Sequence, residues 1–243
     1  TIEEIASAII SRIKAIIIIH LFDQANEVYE VSRLCKQKGL SLIEDCAQAH
    51  GLFIDGKQHV GNFGDIGTFS FYPTKNLGCM GDGGGIITNN PATAAKVRAL
   101  RDYGRVDGKF TIDGRNSRMD EMQAAVLRTK LPYLDGWNTK RKKIAERYNQ
   151  VLKGQVKDLP PLVNNVFYRY LIPVDHETAS SGVVASIFKM GELIRSVEIF
   201  DRMAHKRMKK LKNLYVLPIS PELSENEKTY ICEGLKSSYI LSK

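Results

Sequence analysis

The stretch AIIIIHLFDQANEVYEVSRLCKQKGLSLIED, residues 15–45, sets the fold class. Ala15 to His20 is a short apolar run of the length of a buried strand. Glu27 to Lys38 follows with a helical pattern, and Gly39 stands where a C-cap is needed. Leu40 to Glu44 is the next apolar strand. Strand, helix and strand with short joints predict an α/β fold on a mostly parallel sheet sandwiched by helices. Upstream, residues 2–13 read as an amphipathic helix with acids in its first turn. Downstream, a Gly-rich stretch runs from Gly51 to Gly67, and Thr68 to Tyr72 is strand-like. A glycine loop spans Gly78 to Gly85, and Gly85 to Thr88 is strand-like again. Helices are expected over 91–103, 120–131 and 135–153. Asp158-Leu159-Pro160-Pro161 marks a linker, so the chain divides at about residue 160. Residues 1–160 form a large domain. Residues 161–243 form a smaller C-terminal α+β one, with a strand at Phe167 to Val174. Its helix, Glu225 to Ser237, is started by a capping box of Ser224 and Glu227.

The chain has 243 residues and 43% hydrophobic content, enough to bury a substantial core. No run reaches the roughly 18 apolar residues of a membrane span, and the N-terminus lacks the pattern of a signal peptide. A cytoplasmic location is the expectation. Cys35, Cys46, Cys79 and Cys232 form no CxxC pair, so no metal site is expected. The net charge of +8 concentrates in Lys140-Arg141-Lys142-Lys143 and in His205 to Lys212. Neither cluster is interleaved with aromatics, which argues against nucleic acid. They read as solvated helix faces, or as patches that draw a phosphorylated substrate.

Three strings carry chemistry. Ile43-Glu44-Asp45 closes a buried strand, and open α/β sheets bind ligands at the carboxyl ends of their strands. A carboxylate there faces the crevice, although by itself a helix-capping or loop-orienting Asp is the stronger reading. Gln48 and His50 follow closely. In Phe69-Ser70-Phe71-Tyr72-Pro73-Thr74-Lys75-Asn76-Leu77-Gly78 a hydroxyl precedes a lysine by five residues, and Gly81-Asp82-Gly83-Gly84-Gly85 follows. A lysine in a dry crevice can form an imine with a carbonyl, and Ser70 is placed to bind a phosphate. Gly114-Arg115-Asn116-Ser117-Arg118-Met119-Asp120 precedes a helix. Capping explains Ser117 or Asp120, and Asn116 and Arg118 remain for a phosphate or a partner subunit.

Together, IEDCAQAHG (43–51), VGNFGDIGTFSFYPTKNLGCMGDGGGIITN (60–89), GRNSRMDEMQAAVLRTKL (114–131) and WNTKRKKIAERY (137–148) resemble the DegT/DnrJ/EryC1/StrS sugar aminotransferases. These are fold-type-I enzymes dependent on pyridoxal 5'-phosphate (PLP). The resemblance is dense over about residues 16–150. Beyond that it is limited to FYRYLI (167–172) and LPISPELSENE (217–227). It implies that Lys75 carries PLP as a Schiff base and shuttles the proton. Asp45 would pair with the pyridinium nitrogen, keeping the ring an electron sink. Gln48 would pack near the ring and Ser70 would contact the phosphate. Asn116 would reach the phosphate of the other subunit's cofactor, so a homodimer with shared sites is implied. His20 matches a strand-end histidine near the site, and His50 reads as structural. The implied reaction moves an amino group from an amino acid, usually glutamate, to a nucleotide-linked keto sugar, for polysaccharide or lipopolysaccharide synthesis.

The family pattern also includes a segment ahead of Thr1, with a helix start that cradles the phosphate and an aromatic that stacks on the ring. That part of the fold is missing from this sequence, so a cofactor-free, partly disordered site is expected. The family's Tyr-Pro and His stretch is not recognisable between Gly191 and Leu217. Competing readings are a PLP-dependent sugar dehydratase, which carries histidine where this chain has Lys75, and a non-catalytic or truncated relative. A nucleic-acid binder driven by the basic clusters is the remaining one.

Overall fold

The computed structural model describes residues 1–21, 27–156, 159–173 and 214–240. The chain divides into two compact units, Thr1–Asp135 and Gly136–Lys243.

The first unit is built on a four-stranded sheet. Its strands are β1 (Ala15–Ile19), β2 (Ser41–Asp45), β5 (Ile66–Ser70) and β6 (Gly84–Ile87), in the order β1-β2-β5-β6. β1 and β2 run parallel, with Ile19 opposite Asp45, and β2 and β5 run parallel, with Asp45 opposite Thr68. β6 returns antiparallel along β5, with Ser70 opposite Gly84. Helix α2 (Val28–Lys38) makes the crossover between β1 and β2, and Gly39 ends it in the left-handed conformation at φ 64°. The apolar face of α2 packs Val31 and Cys35 on Leu42, with Ile16 and Ile18 of β1 alongside. This is the βαβ unit expected of residues 15–45.

Helix α1 (Ile2–Ala8) opens with a reciprocal capping box between Thr1 and Glu4. It is shorter than the expected 2–13: Ile9 is already extended. Two consecutive β-branched residues, Ile9 and Ile10, lose rotamer freedom in a helix and weaken its continuation. Two short hairpins were not foreseen, β3 (Phe53–Ile54) with β4 (Gln58–His59) and β7 (Arg105–Val106) with β8 (Lys109–Phe110). Each turns on a glycine at positive φ, Gly56 and Gly108, after an aspartate also at positive φ. Helix α3 (Pro91–Arg101) starts with Pro91 and an Asn90 side chain that accepts from the Ala92 and Thr93 N–H groups. Helix α4 (Glu121–Lys130) follows.

In the second unit, helix α5 (Leu134–Leu152) supplies Ile144, Tyr148 and Leu152 to a buried cluster. The antiparallel pair β9 (Tyr170–Pro173) and β10 (Leu214–Leu217) adds Tyr170, Ile172 and Leu217. Helix α6 (Glu225–Ile240) adds Ile231 and Leu235. The predicted box at its start is present: Ser224 Oγ accepts from Glu227 N, and the Glu227 carboxylate accepts from Ser224 N. Most of α5 therefore belongs with the residues that follow it, whereas the sequence reading put the division after it, near residue 160. The Tyr148 hydroxyl donates to the Pro218 carbonyl at 2.7 Å. Arg141 is not a free cation of the Lys140–Lys143 run, since it donates to the Ile219 carbonyl at 3.1 Å. Lys140, Lys142 and Lys143 are exposed, as a solvated face requires. The second basic cluster, His205 to Lys212, lies outside the described residues, as do 191–213 of the unrecognised stretch.

Leu235 is 0% exposed at the centre of this cluster. Leu235→Ala should cost about 2–5 kcal/mol of unfolding free energy. Urea unfolding measures it, and a loss under about 1 kcal/mol would remove Leu235 from the core.

Candidate active site

The site begins with a carboxylate that sequence reading passed over. Glu44, the penultimate residue of β2, is 0% exposed. Its Oε2 accepts from the Gly61 N–H at 2.8 Å and meets His20 Nε2 at 3.0 Å. Its Oε1 accepts from the Phe63 and Gly64 N–H groups, both at 2.7 Å. Burial alone would raise this carboxyl, but the His20 contact and the Gly61 and Gly64 donors outweigh it and hold the group below its ordinary 4.5. His20, expected near the site, is likewise buried and spent on Glu44. Cys46 Sγ lies in the same cluster, with one ligand-type atom from each residue within 4.8 Å of the others. Both Glu44 oxygens are already engaged by four partners, so the cluster is accounted for as a hydrogen-bond network. The sequence did carry a signal: Gly61 to Gly64 form a loop whose inward N–H groups need a buried acceptor.

Asp45, the next residue, alternates to the other side of the strand and is half-buried. Its Oδ1 accepts from the Ala47 N–H at 3.0 Å. β1 and β2 end together here, beside β5: His20 N donates to the Asp45 carbonyl at 3.0 Å, and Cys46 N donates to the Thr68 carbonyl at 2.8 Å. β5 runs on to Ser70, two residues beyond the Thr68 that faces Asp45.

From Ser70 the chain enters the turn that carries Lys75. Ser70 Oγ accepts from Tyr72 N at 3.4 Å, and Lys75 N donates to the Tyr72 carbonyl at 2.9 Å. The turn closes against Gly78, where a Cβ would stand 2.6 Å from the Pro73 carbonyl oxygen. Helix α4 clamps the far side. Lys130 Nζ donates to the Gly78 carbonyl at 2.7 Å, and Gln123 Oε1 accepts from Met80 N at 2.8 Å. Cys79 Sγ contacts the Phe71 and Gly81 carbonyls, both at 2.9 Å. Lys75 is half-buried at the mouth of this turn.

Gln48 and His50 lie on the segment that leaves β2. Gln48 is half-buried, and His50 is 3% exposed with its ring 5.4 Å from that of Phe69 and 5.8 Å from that of Phe71. Burial, and then the charge of Lys75, lower the His50 pKa to about 4. The fold thus gathers Asp45, Gln48, Ser70 and Lys75 around the carboxyl ends of β2 and β5. Asn116 is exposed on a strap bridged to Asp102 at the end of α3. Arg118 on that strap pairs with Asp102 at 3.1 Å and lies over the Tyr103 ring.

β2 thus ends on the Asp45 carboxylate, and its parallel neighbour β5 ends on Ser70, from which the chain turns to Lys75. Residues 1–236 match the model of the DegT/DnrJ/EryC1/StrS aminotransferase family. The chain belongs to that family. One curated family relative is a "pleiotropic regulatory protein" of Geobacillus stearothermophilus, 35% identical over 97% of this chain and 68% of its own length. Another is the UDP-N-acetyl-3-dehydro-alpha-D-glucosamine 3-aminotransferase of Acidithiobacillus ferrooxidans, 39% identical over 77% of this chain. The chain spans about half of that enzyme, 53%. Among solved structures of the family fold, NtdA from Bacillus subtilis with the cofactor PMP bound superposes with a TM-score of 0.85. It is 27% identical, over 99% of this chain and 60% of its own.

Glu44→Gln puts an amide N–H₂ where backbone donors point, and should cost about 3–5 kcal/mol in chemical unfolding. A loss below about 1 kcal/mol would show that the loop holds itself. Acid acts through two groups. The Glu44 carboxylate is lowered, so its stabilisation is complete above pH 4.5 and is lost as pH falls through its folded value. His50 is also lowered, so folded His50 resists protonation while the unfolded chain takes the proton. Stability should therefore fall between pH 6.5 and 4 by up to about 3 kcal/mol. Thermal melts at stepped pH read this slope, and it should be absent from His50→Asn.

Proposed function

We propose that the chain is the cofactor-holding part of a PLP-dependent aminotransferase acting on a nucleotide-linked keto sugar. The observation that carries this reading is the placing of Asp45 and the Ser70–Lys75 turn at the carboxyl ends of adjacent parallel strands. The donor set fits PLP chemically. It offers a carboxylate for a cationic ring nitrogen, an amine for a carbonyl and a hydroxyl for a phosphate. PLP, when bound, supplies a carbonyl that takes up an amine and a conjugated ring that accepts electrons.

The residues then take separate tasks. Asp45, held by the Ala47 N–H, keeps a fixed negative charge for the ring nitrogen. Lys75 Nζ would take the proton from the Cα of the amino donor as a general base and, as a general acid, give it up at a different carbon. The Gly78 closure and the Lys130 clamp fix the backbone of the turn that carries that lysine. Ser70 Oγ serves the phosphate, and Gln48 packs beside the ring. Asn116, exposed on its strap, serves the phosphate of a second copy, making a homodimer with shared sites. Glutamate is the proposed donor, and amino-sugar synthesis for a surface polysaccharide in the cytoplasm is the proposed setting. Among the described residues no helix is long and apolar enough to cross a membrane. Lys75 also separates this reading from a sugar dehydratase. The regulatory name of the 35% identical relative favours a second reading, a family member that binds but does not transfer.

The test is absorbance with added PLP, followed by amine transfer to a panel of nucleotide keto sugars. The parent should develop a band near the visible edge that Lys75→Ala lacks. Asp45→Asn should lower transfer on the order of 100-fold or more. A band without transfer to any keto sugar would favour the second reading, and no band would end the first.

A further inference from the structure

The chain from Phe71 to Cys79 is a closed loop with Lys75 at its middle. Cys79 N donates to the Phe71 carbonyl at 2.9 Å, and Phe71 N donates to the Gly83 carbonyl at 2.8 Å. Cys79 Sγ lies 2.9 Å from the Phe71 carbonyl as well. These contacts close the base of the loop where β5 ends. The backbone groups on either side of Cys79 go to α4 instead. The Gly78 carbonyl accepts from Lys130 Nζ at 2.7 Å, and Met80 N donates to Gln123 Oε1 at 2.8 Å. A Cβ on Gly81 would stand 3.3 Å from Gln123 Nε2, so the amide lies directly beside this segment. Gln123, Leu127 and Lys130 are spaced at i, i+4 and i+7, which puts them on one stripe of the helix. Leu127, between the two polar residues, is buried with Leu77 and Cys79. A stripe that served packing alone would be apolar at all three positions. Here the outer two are polar, and both are spent on the main chain that leaves the lysine loop.

We infer that Gln123 and Lys130 are positioning residues for Lys75, whose own task is the one given under the proposed function. The two side chains do for the outer side of Gly78–Met80 what a neighbouring strand would do. They supply an acceptor for one N–H and a donor for one carbonyl. The upstream end of the loop is fixed by β5, and the downstream end is fixed by α4 through these two bonds. A short loop held at both ends has few ways to place its central side chain. Without the α4 bonds its exit would be held through Cys79 alone. Because both contacts are to main chain, position 123 must offer an acceptor and position 130 a donor. A residue needed only for packing would have no such requirement, and methionine would serve as well at either place.

Variants of the 243-residue chain separate the two roles. Gln123→Met and Lys130→Met keep an unbranched, helix-favouring side chain and lose its polar end. Gln123→Glu keeps the acceptor, and Lys130→Arg keeps a donor. Met122→Ala is the control, since Met122 is on the same helix and 73% exposed. The first readout needs no cofactor: the rate at which Lys75 is reductively methylated by limiting formaldehyde, read by peptide mass spectrometry against the exposed Lys57 and Lys96. In each methionine variant the Lys75 rate should move about threefold toward that of the exposed lysines. Gln123→Glu and Lys130→Arg should recover most of the parent rate, and Met122→Ala should match the parent. The second readout is the dissociation constant for PLP, which rests on the proposed function and should rise about threefold to tenfold in the methionine variants. Parent-like Lys75 rates in both folded methionine variants overturn the inference. So does an equal shift in the methionine and conservative variants, or a shift of the same size in Met122→Ala. If no form of the chain takes up PLP but the methylation rates move as described, the positioning role stands and the cofactor reading falls.

Discussion

A carboxylate in a dry interior has to be surrounded by donors, and the first unit is organised around that requirement at Glu44. Desolvating such a charge costs several kcal/mol, and the cost is offset only because three backbone N–H groups and the His20 ring converge on it. Those partners come from separate parts of the chain, the end of β1 and the Gly61–Gly64 loop. One side chain therefore joins two parallel strands to the loop that feeds the third. Glycine at 61 and 67 is part of the same arrangement, since a Cβ on Gly67 would fall 2.6 Å from Gly61 Cα. Asp65 adds a second tie, accepting from Leu42 N at 2.9 Å.

Strand alternation then does the functional work. With Glu44 committed inward, Asp45 is turned to the other side at the last residue of β2. Because β5 outlasts β2, the residues after Thr68 keep only β6 as a strand neighbour before the chain turns. The Gly78 closure and the Lys130 and Gln123 clamps from α4 act on that turn. Lysine loses much rotamer freedom when held, so a cluster of restraints is what a fixed amine at this place needs.

The second unit follows a different logic. It relies on aromatic packing, with Tyr148, Phe167 and Tyr170 in one cluster, and on polar ties that satisfy buried hydroxyls, Tyr148 to Pro218 and Tyr170 to Asn149. Its described residues hold none of the groups assigned to the cofactor, in keeping with a sequence resemblance that fades after about residue 150.

The sequence alone determined the βαβ rhythm of residues 15–45, the caps at Gly39 and Ser224, and the strings that hold Asp45, Ser70 and Lys75. These are local: period, cap chemistry and motif spacing are written in neighbouring residues. It overran α1 at Ile9, missed both short hairpins and ended the first domain beyond α5, because propensity is weak where tertiary contacts decide. Glu44 was invisible for a related reason. Beside Asp45 it looks like a second crevice acid, and only the return of Gly61–Gly64 across the strand shows that it is an anchor. Which residue carries a charge could be read from the chain; which charge is buried was decided by the register of the sheet and the return of the Gly61–Gly64 loop.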